Sequence, residues 1–427
     1  MKISHTIGSI SVVLSFSALC YTSVGLVTAD TLSQKGNAHI PDRYIVVFKD
    51  TVVDVDKEVS KIEYEYGVSS DMKYKHAIRG FAGVIPEGKM KALAKDSRVH
   101  FISEDREVHL FGKPDVSNPQ PSQITPTGVR RIGASASSTG STGAGVGVAV
   151  IDTGIDMKHP DLVANISSFS KSCVTGARTA TDDNGHGTHV AGTIAGVNNS
   201  AGVVGVAPEA TLFAVKVLNK NGSGTWSSII CGIDWVTAHA QTLNIKVANM
   251  SLGGSGSSDN NCGLTNNDAL HQAICRSTAQ GVTYVVAAGN EGSPVSQSVP
   301  SSYDDTVITV SALADSDGAT GGLGTVTGYG ADDTFATFSN YGAGVDIGAP
   351  GVNIFSTWKG GSYATISGTS MASPHVAGAS ALYIATHPQA LWAEVKTALQ
   401  AIGESSGVSH TDPSGRHPEK VLSVSAF

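Results

Sequence analysis

This chain lacks a basic patch. Its formal net charge is −8 and its Lys and Arg residues form no cluster, so a nucleic-acid partner is not expected. It also lacks a long apolar run. The stretch Ile7 to Leu19 is short and broken by serines, and no later segment could cross a bilayer, so no membrane partner is expected. The five cysteines are scattered without paired Cys-x-x-Cys spacing, which argues against a metal cluster. No His-Glu-x-x-His helix is present; the nearest approach, His186 and His189, has Gly and Thr between, so His189 reads as a structural, hydrogen-bonded histidine. No Gly-x-Ser-x-Gly elbow is present either, which removes the usual esterase arrangement. Gly143-Ala-Gly-Val-Gly147 precedes its strand instead of following it, so it is not a nucleotide-binding loop.

What is present is a long, lightly charged chain. A length of 427 residues allows two or three domains, and 41% hydrophobic residues with 49 glycines suffice for a large core. Lys2 and His5 precede the short apolar run, and Val27-Thr-Ala29 offers a small-residue cleavage site. Residues 1–29 therefore read as a signal peptide and the protein as secreted and extracellular. The remainder divides by charge. Residues 30–111 carry 13 Lys+Arg and 14 Asp+Glu; residues 112–427 carry 14 and 22 over almost four times the length.

The charged block alternates strand and helix patterns: strand Arg43–Phe48, helix Asp54–Tyr66, strand Gly80–Ile85, helix Gly88–Asp96 and strand Val99–Ser103. Two β-α-β halves predict a small α+β, ferredoxin-like fold. Gly112–Gln123, with three prolines, reads as a linker. Beyond it, strands are expected at 146–152, 211–217, 247–250, 283–287, 307–312 and 346–349. Helices are expected at 186–197, 226–240, 267–280, 369–387 and 392–401. That alternation predicts an α/β domain, a mostly parallel sheet with helices on both faces.

Three short segments carry chemistry. Val148-Ala-Val-Ile-Asp-Thr-Gly ends a buried-strand pattern on Asp152, where parallel sheets place their active sites. Asn184-Gly-His-Gly-Thr-His-Val-Ala-Gly opens a small-residue helix on His186. Gly368-Thr-Ser-Met-Ala-Ser-Pro-His places Ser370 at the start of another. A serine hydroxyl needs a base before it attacks, and a helix N-terminus aims N–H groups at developing negative charge. Asp, His and Ser in that chain order, each at an element boundary, form a nucleophile, base and orienting acid.

With Ala288-Gly-Asn290, these motifs closely resemble the subtilisin family of secreted serine proteases, from about residue 122 to the C-terminus. Residues 30–111 resemble that family's propeptide, which helps the enzyme fold and then blocks its site. The resemblance implies a broad-specificity endopeptidase, with Ser370 as nucleophile, His186 as base, Asp152 as its orienting partner and Asn290 as oxyanion donor; a monomer is expected. It implies that Gly222, Ser223 and Gly224 form one edge of a substrate channel and Ser251, Leu252 and Gly253 the other. Extended peptides would bind there by backbone hydrogen bonds. Trp226, Ile229 and Leu252 would line the pocket for the fourth residue before the cut. The primary pocket, near 251–254 and 287–290 with Glu291 at its rim, would favour large apolar residues.

The resemblance further implies structural calcium held by Gln123, Asp161 and Asn199 and the carbonyls of Val197, Ala201 and Val203. Self-cleavage is expected between Phe111 and Gly112, because Val108 and Phe111 suit the two pockets. After loss of Cys20, four cysteines allow three pairings. Cys262 and Cys275 flank an insertion absent from the simplest subtilisins, so Cys262–Cys275 and Cys173–Cys231 are the expected bridges.

Overall fold

The computed structural model describes residues 39–110, 120–134 and 140–427, and the backbone of 115–118. The expected signal segment, 1–29, lies outside the described residues.

The small N-terminal unit runs β1 (His39–Phe48), α1 (Val55–Tyr66), β2 (Ser69–Tyr74), β3 (Gly80–Val84), α2 (Glu87–Leu93) and β4 (Val99–His109). Its sheet order is β2-β3-β1-β4, all antiparallel, the ferredoxin-like arrangement expected. Strand β2 had no expectation. Its sequence, Ser-Ser-Asp-Met-Lys-Tyr, is mostly polar with only Tyr74 buried, so it lacks the apolar alternation that marks a strand. Asp54 caps α1 by accepting a hydrogen bond from Lys57 N at 3.1 Å.

The chain then continues through β5 (Asp115–Asn118), α3 (Thr127–Arg131), β6 (Gly147–Asp152), β7 (Lys171–Ser172), α4 (His186–Ala195), β8 (Thr211–Lys216), β9 (Ser223–Thr225), α5 (Trp226–His239), β10 (Ile245–Met250), β11 (Gly254–Ser255), α6 (Ala269–Thr278), β12 (Thr283–Ala287), β13 (Ser298–Val299), β14 (Val307–Ala314), β15 (Thr334–Phe335), β16 (Ile347–Pro350), β17 (Ile354–Trp358), β18 (Ser362–Ile366), α7 (Thr369–Thr386) and α8 (Trp392–Ile402). The main sheet has the order β15-β14-β12-β10-β6-β8-β7, with β16 also on β14. Every pair is parallel except β14–β15. One part of the expected linker is structured: β5 pairs with β18.

Burial on both faces explains the apolar strands. Successive side chains of a strand point to opposite faces. Val148 and Val150 of β6 join the cluster that contains α4 and α7, while Ala149 and Ile151 join the one that contains α5 and α6. A run of four apolar residues is therefore what a doubly covered strand requires. Both expected disulfides form, Cys173–Cys231 and Cys262–Cys275. Among the described residues no helix is long and apolar enough to cross a membrane.

Candidate active site

Asp152 ends β6, and the carboxylate is fully buried. It accepts a hydrogen bond from Thr153 N at 2.7 Å, and its two oxygens lie 2.9 and 3.0 Å from His186 Nδ1. His186 opens α4 because Asp182 organises the turn before it. That carboxylate accepts from the backbone N–H groups of Asn184, Gly185 and Thr188 and from the Thr188 hydroxyl. These bonds satisfy amides that a helix start leaves without partners. The other imidazole nitrogen, Nε2, is buried without a hydrogen-bond partner.

Ser370 lies in the first turn of α7 and is fully buried. Its hydroxyl donates to Ser251 O at 3.1 Å, not to His186. Ser251 Oγ donates back to Ser370 O at 2.8 Å and accepts from Asn249 Nδ2 at 2.9 Å. Asn290 follows β12, and its Oδ1 accepts from Thr369 N and Thr369 Oγ1, both at 2.9 Å. Those bonds fix the amide plane, and no hydrogen bond among the described residues uses its N–H2 group.

His189, three residues beyond His186, is apart from this chemistry. Its Nε2 lies 2.9 Å from Ile354 O and 3.2 Å from Ala364 O, and burial pushes its imidazole down to about 3. It is a neutral structural histidine, as its spacing suggested.

The two expected channel edges hold an extended strand already. Strand β4 pairs antiparallel with β9: Glu107 faces Thr225, Val108 faces Gly224 and His109 faces Ser223. On the other side His109 bridges Gly253. Leu110 N donates to Gly222 O at 2.9 Å, and His109 Nδ1 lies 3.0 Å from Ser223 Oγ. Gly222 has φ +74°, and a Cβ there would fall 2.8 Å from Leu110 Cδ1, so a side chain would obstruct the strand. Val108 is buried in one cluster with Trp226, Ile229 and Leu252. Phe111 and Gly112, the expected cleavage point, lie outside the described residues.

Two carboxylates at this junction had no sequence expectation. Asp105 of β4 is fully buried and accepts from Ser227 N at 3.0 Å and Ser227 Oγ at 2.7 Å, at the start of α5. Asp234 of α5 accepts from the backbone N–H groups of Lys75, His76 and Ala77 at 2.6–3.1 Å. Asp234 had one signal: it is the only carboxylate in α5, which has no Lys or Arg.

The residues expected to hold calcium also meet. Asp161 is fully buried; Oδ2 accepts from Val203 N at 2.6 Å, and Oδ1 has no partner. Burial pushes its carboxyl up to about 6. Asn199 Oδ1 accepts from Ala201 N, Gln123 Oε1 from Ser200 N, and Gln123 Nε2 donates to Val197 O. Gly202, φ +69°, leaves space that a Cβ would fill at 2.3 Å from Asp161 Oδ2. A buried carboxylate oxygen without a partner, in a set made of oxygens alone, fits a hard cation.

Comparison with known proteins agrees with this geometry. Residues 143–411 match the subtilase family, and residues 43–111 match peptidase inhibitor I9. The chain is 38% identical to Subtilisin NAT of Bacillus subtilis subsp. natto over 379 residues, 88% of each protein. It is 42% identical to an alkaline protease of Alkalihalobacillus alcalophilus over 325 residues, 76% of this chain and 74% of that one. The crystal structure of a cold adapted subtilisin-like serine proteinase superposes with TM-score 0.57 at 33% identity, covering 70% of this chain and 98% of the other. The chain therefore belongs to the subtilase family: it is a serine endopeptidase of broad specificity that carries an I9 inhibitor domain at its N-terminal side.

Proposed function

We propose that Ser370 is the nucleophile of this endopeptidase, that His186 takes and returns its proton, and that Asp152 holds the imidazole. The observation that carries this is the strand in the channel. With Val108, His109 and Leu110 in register against Gly224, Gly253 and Gly222, the next residue along is Phe111. The scissile bond of the precursor is then Phe111–Gly112.

A rotation of the Ser370 side chain would move its hydroxyl from Ser251 O toward the unpartnered His186 Nε2. Attack of Oγ on the carbonyl carbon breaks the C=O π bond and passes the hydroxyl proton to Nε2. Asp152 stabilises the imidazolium through Nδ1–H. The Asn290 N–H2 and the Ser370 backbone N–H stabilise the oxyanion. The imidazolium then protonates the leaving amine, and water releases the acyl group by the same route in reverse.

The pocket of Trp226, Ile229 and Leu252 takes an apolar side chain four residues before the cut, as it takes Val108. The primary pocket favours large apolar residues. Gln123, Asp161 and Asn199, with the carbonyls of Val197, Ala201 and Val203, would hold a structural calcium, which supplies charge compensation and no chemistry. Residues 30–111 act as a folding aid and then as an inhibitor until degraded. The two disulfides suit an oxidising compartment, consistent with secretion directed by residues 1–29, and the enzyme is read as a monomer.

The Ser370→Ala precursor tests this reading. It should fold, stay joined to residues 30–111, and lose about 10⁶ in casein turnover, a magnitude taken from a subtilisin. N-terminal sequencing should find residue 112 in the mature wild type and not in the variant. A pure variant that still matures itself or digests casein would overturn the assignment.

A further inference from the structure

The connection between β14 and β15, residues 315–333, holds negative charge that nothing in the reaction uses. It is glycine-rich and keeps Leu323 and Val326 in solvent, so no apolar core of its own holds it. What holds it is its neck. Asp315-Ser-Asp317-Gly318 enters the connection, and Asp332-Asp333 leaves it.

We propose that Asp315, Asp317 and Asp332 form a second cation site, of calcium type, distinct from the one around Asp161. One carboxylate oxygen of each residue lies within 4.8 Å of the others. Asp315 is 2% exposed, and its Oδ2 is buried with no hydrogen-bond partner. A buried carboxylate oxygen in that condition is costly, because desolvation is not repaid by a donor.

Neighbouring cations do not supply the missing partner. Arg131 pairs with Asp333 and Glu404, and Arg130 donates to the carbonyl of Asp317. None of the three carboxylates takes part in a salt bridge among the described residues. Their remaining bonds are local: Gly318 N to Asp315 Oδ1, Ala319 N to Asp317 Oδ1, and the Ser316 N–H, Ser316 hydroxyl and Gly324 N–H to Asp332. Burial, with Asp333 and Asp332 nearby, pushes the Asp315 carboxyl up to about 7. A dication would reverse that penalty.

The donor chemistry selects the ion. Three carboxylates with neither imidazole nor thiolate suit a hard, oxygen-seeking cation over zinc or copper. Asp315 and Asp317 stand at the start of the connection and Asp332 at its end, so an ion there would tie the two ends together.

Calcium titration of the chelator-stripped, full-length Ser370→Ala precursor, followed by calorimetry, tests the site. Asp317 is exposed, so Asp317→Asn in that background should fold normally and bind one calcium fewer. Asp161→Ala should remove a different equivalent, and the double variant both. Chymotrypsin supplies a second readout at exposed Leu323 and Tyr329. Calcium should slow cleavage there in the parent and in Asp161→Ala, but not in Asp317→Asn. If Asp317→Asn binds as many ions with unchanged affinity, or calcium protects its connection as well as the parent's, the site does not exist.

Discussion

The inhibitor domain and the protease domain bury their sheets by different means. In the protease domain both faces of the sheet are covered by the domain's own helices, α4 and α7 on one side and α5 and α6 on the other. In the inhibitor domain only one face is. Tyr44, Val46 and Phe48 of β1 pack with Val59 and Ile62 of α1 in a local core. Ile45 and Val47, with Tyr74, Ala82 and Phe101, instead join the cluster built around α5 and α6. The smaller domain thus completes its core on its partner. Polar contacts follow the same plan: Asp105 serves the start of α5, and Asp234 serves the Lys75–Ala77 backbone. A domain of this size with one uncovered apolar face is marginal alone, whereas the larger one buries charge-poor strands completely. One region is built to be removed and the other to last.

Outside the triad, the largest expected effect sharpens the division of labour inside the protease domain. Asn290→Ala should cut turnover about 10²–10³-fold, roughly 2.7–4 kcal/mol, a magnitude carried over from the oxyanion asparagine of a subtilisin. Inhibition by residues 30–111 should weaken far less than turnover, since Asn290 makes no hydrogen bond to residues 39–110, which pair with β9 and Gly253 instead. Unchanged peptide turnover would remove Asn290 from the site.

Acid should act on the permanent region through its buried histidines. His375 is fully buried, with Nδ1 2.8 Å from Met371 O, and burial pushes it down to about 4. The unfolded chain takes up a proton near pH 6.5 that the folded one refuses. Stability from this ring is complete above about 6.5 and falls as pH drops toward 4, by about 3 kcal/mol in all. Thermal melts of Ser370→Ala and Ser370→Ala/His375→Gln across that window should show a shallower acid slope in the second. Equal slopes would assign the loss elsewhere.

Calcium removal should also strike the permanent region. A hundredfold excess over Kd stabilises a folded chain by about 2.7 kcal/mol, so chelation should lower Tm and shorten the half-life against autolysis. Asp161→Ala should lose most of that response. A Tm indifferent to chelator would remove the ion from this account.

The smallest effect tests the removable region. Asp234→Ala leaves three backbone N–H groups without their acceptor and should weaken inhibition by residues 30–111 by about 2 kcal/mol, roughly thirtyfold. Hydrolysis of a short peptide should not change. If Ki is unaffected, the apolar face alone holds the domain.

Much of this was legible in the residues. Four apolar positions ending on Asp152 read as a buried strand, and the small residues around His186 and Ser370 marked helix starts. Such signals are local, because they rest on backbone preference and side-chain period. The Asp161 loop was legible only through resemblance, since its oxygens come from residues 123, 161 and 197–203, and no local period links them. Strand β2 escaped because a polar edge strand has no apolar alternation, and β5 escaped because proline-rich composition hides a strand whose hydrogen bonds come from β18. The seat of Val108 in the channel was expected through resemblance, and tertiary structure alone decided two further things. It turned Ser370 Oγ toward Ser251 O and brought Asp105 and Asp234 to the junction. Each depends on contacts between residues more than a hundred positions apart, and such contacts form only once the whole chain has folded and brought those segments together, which no local period encodes.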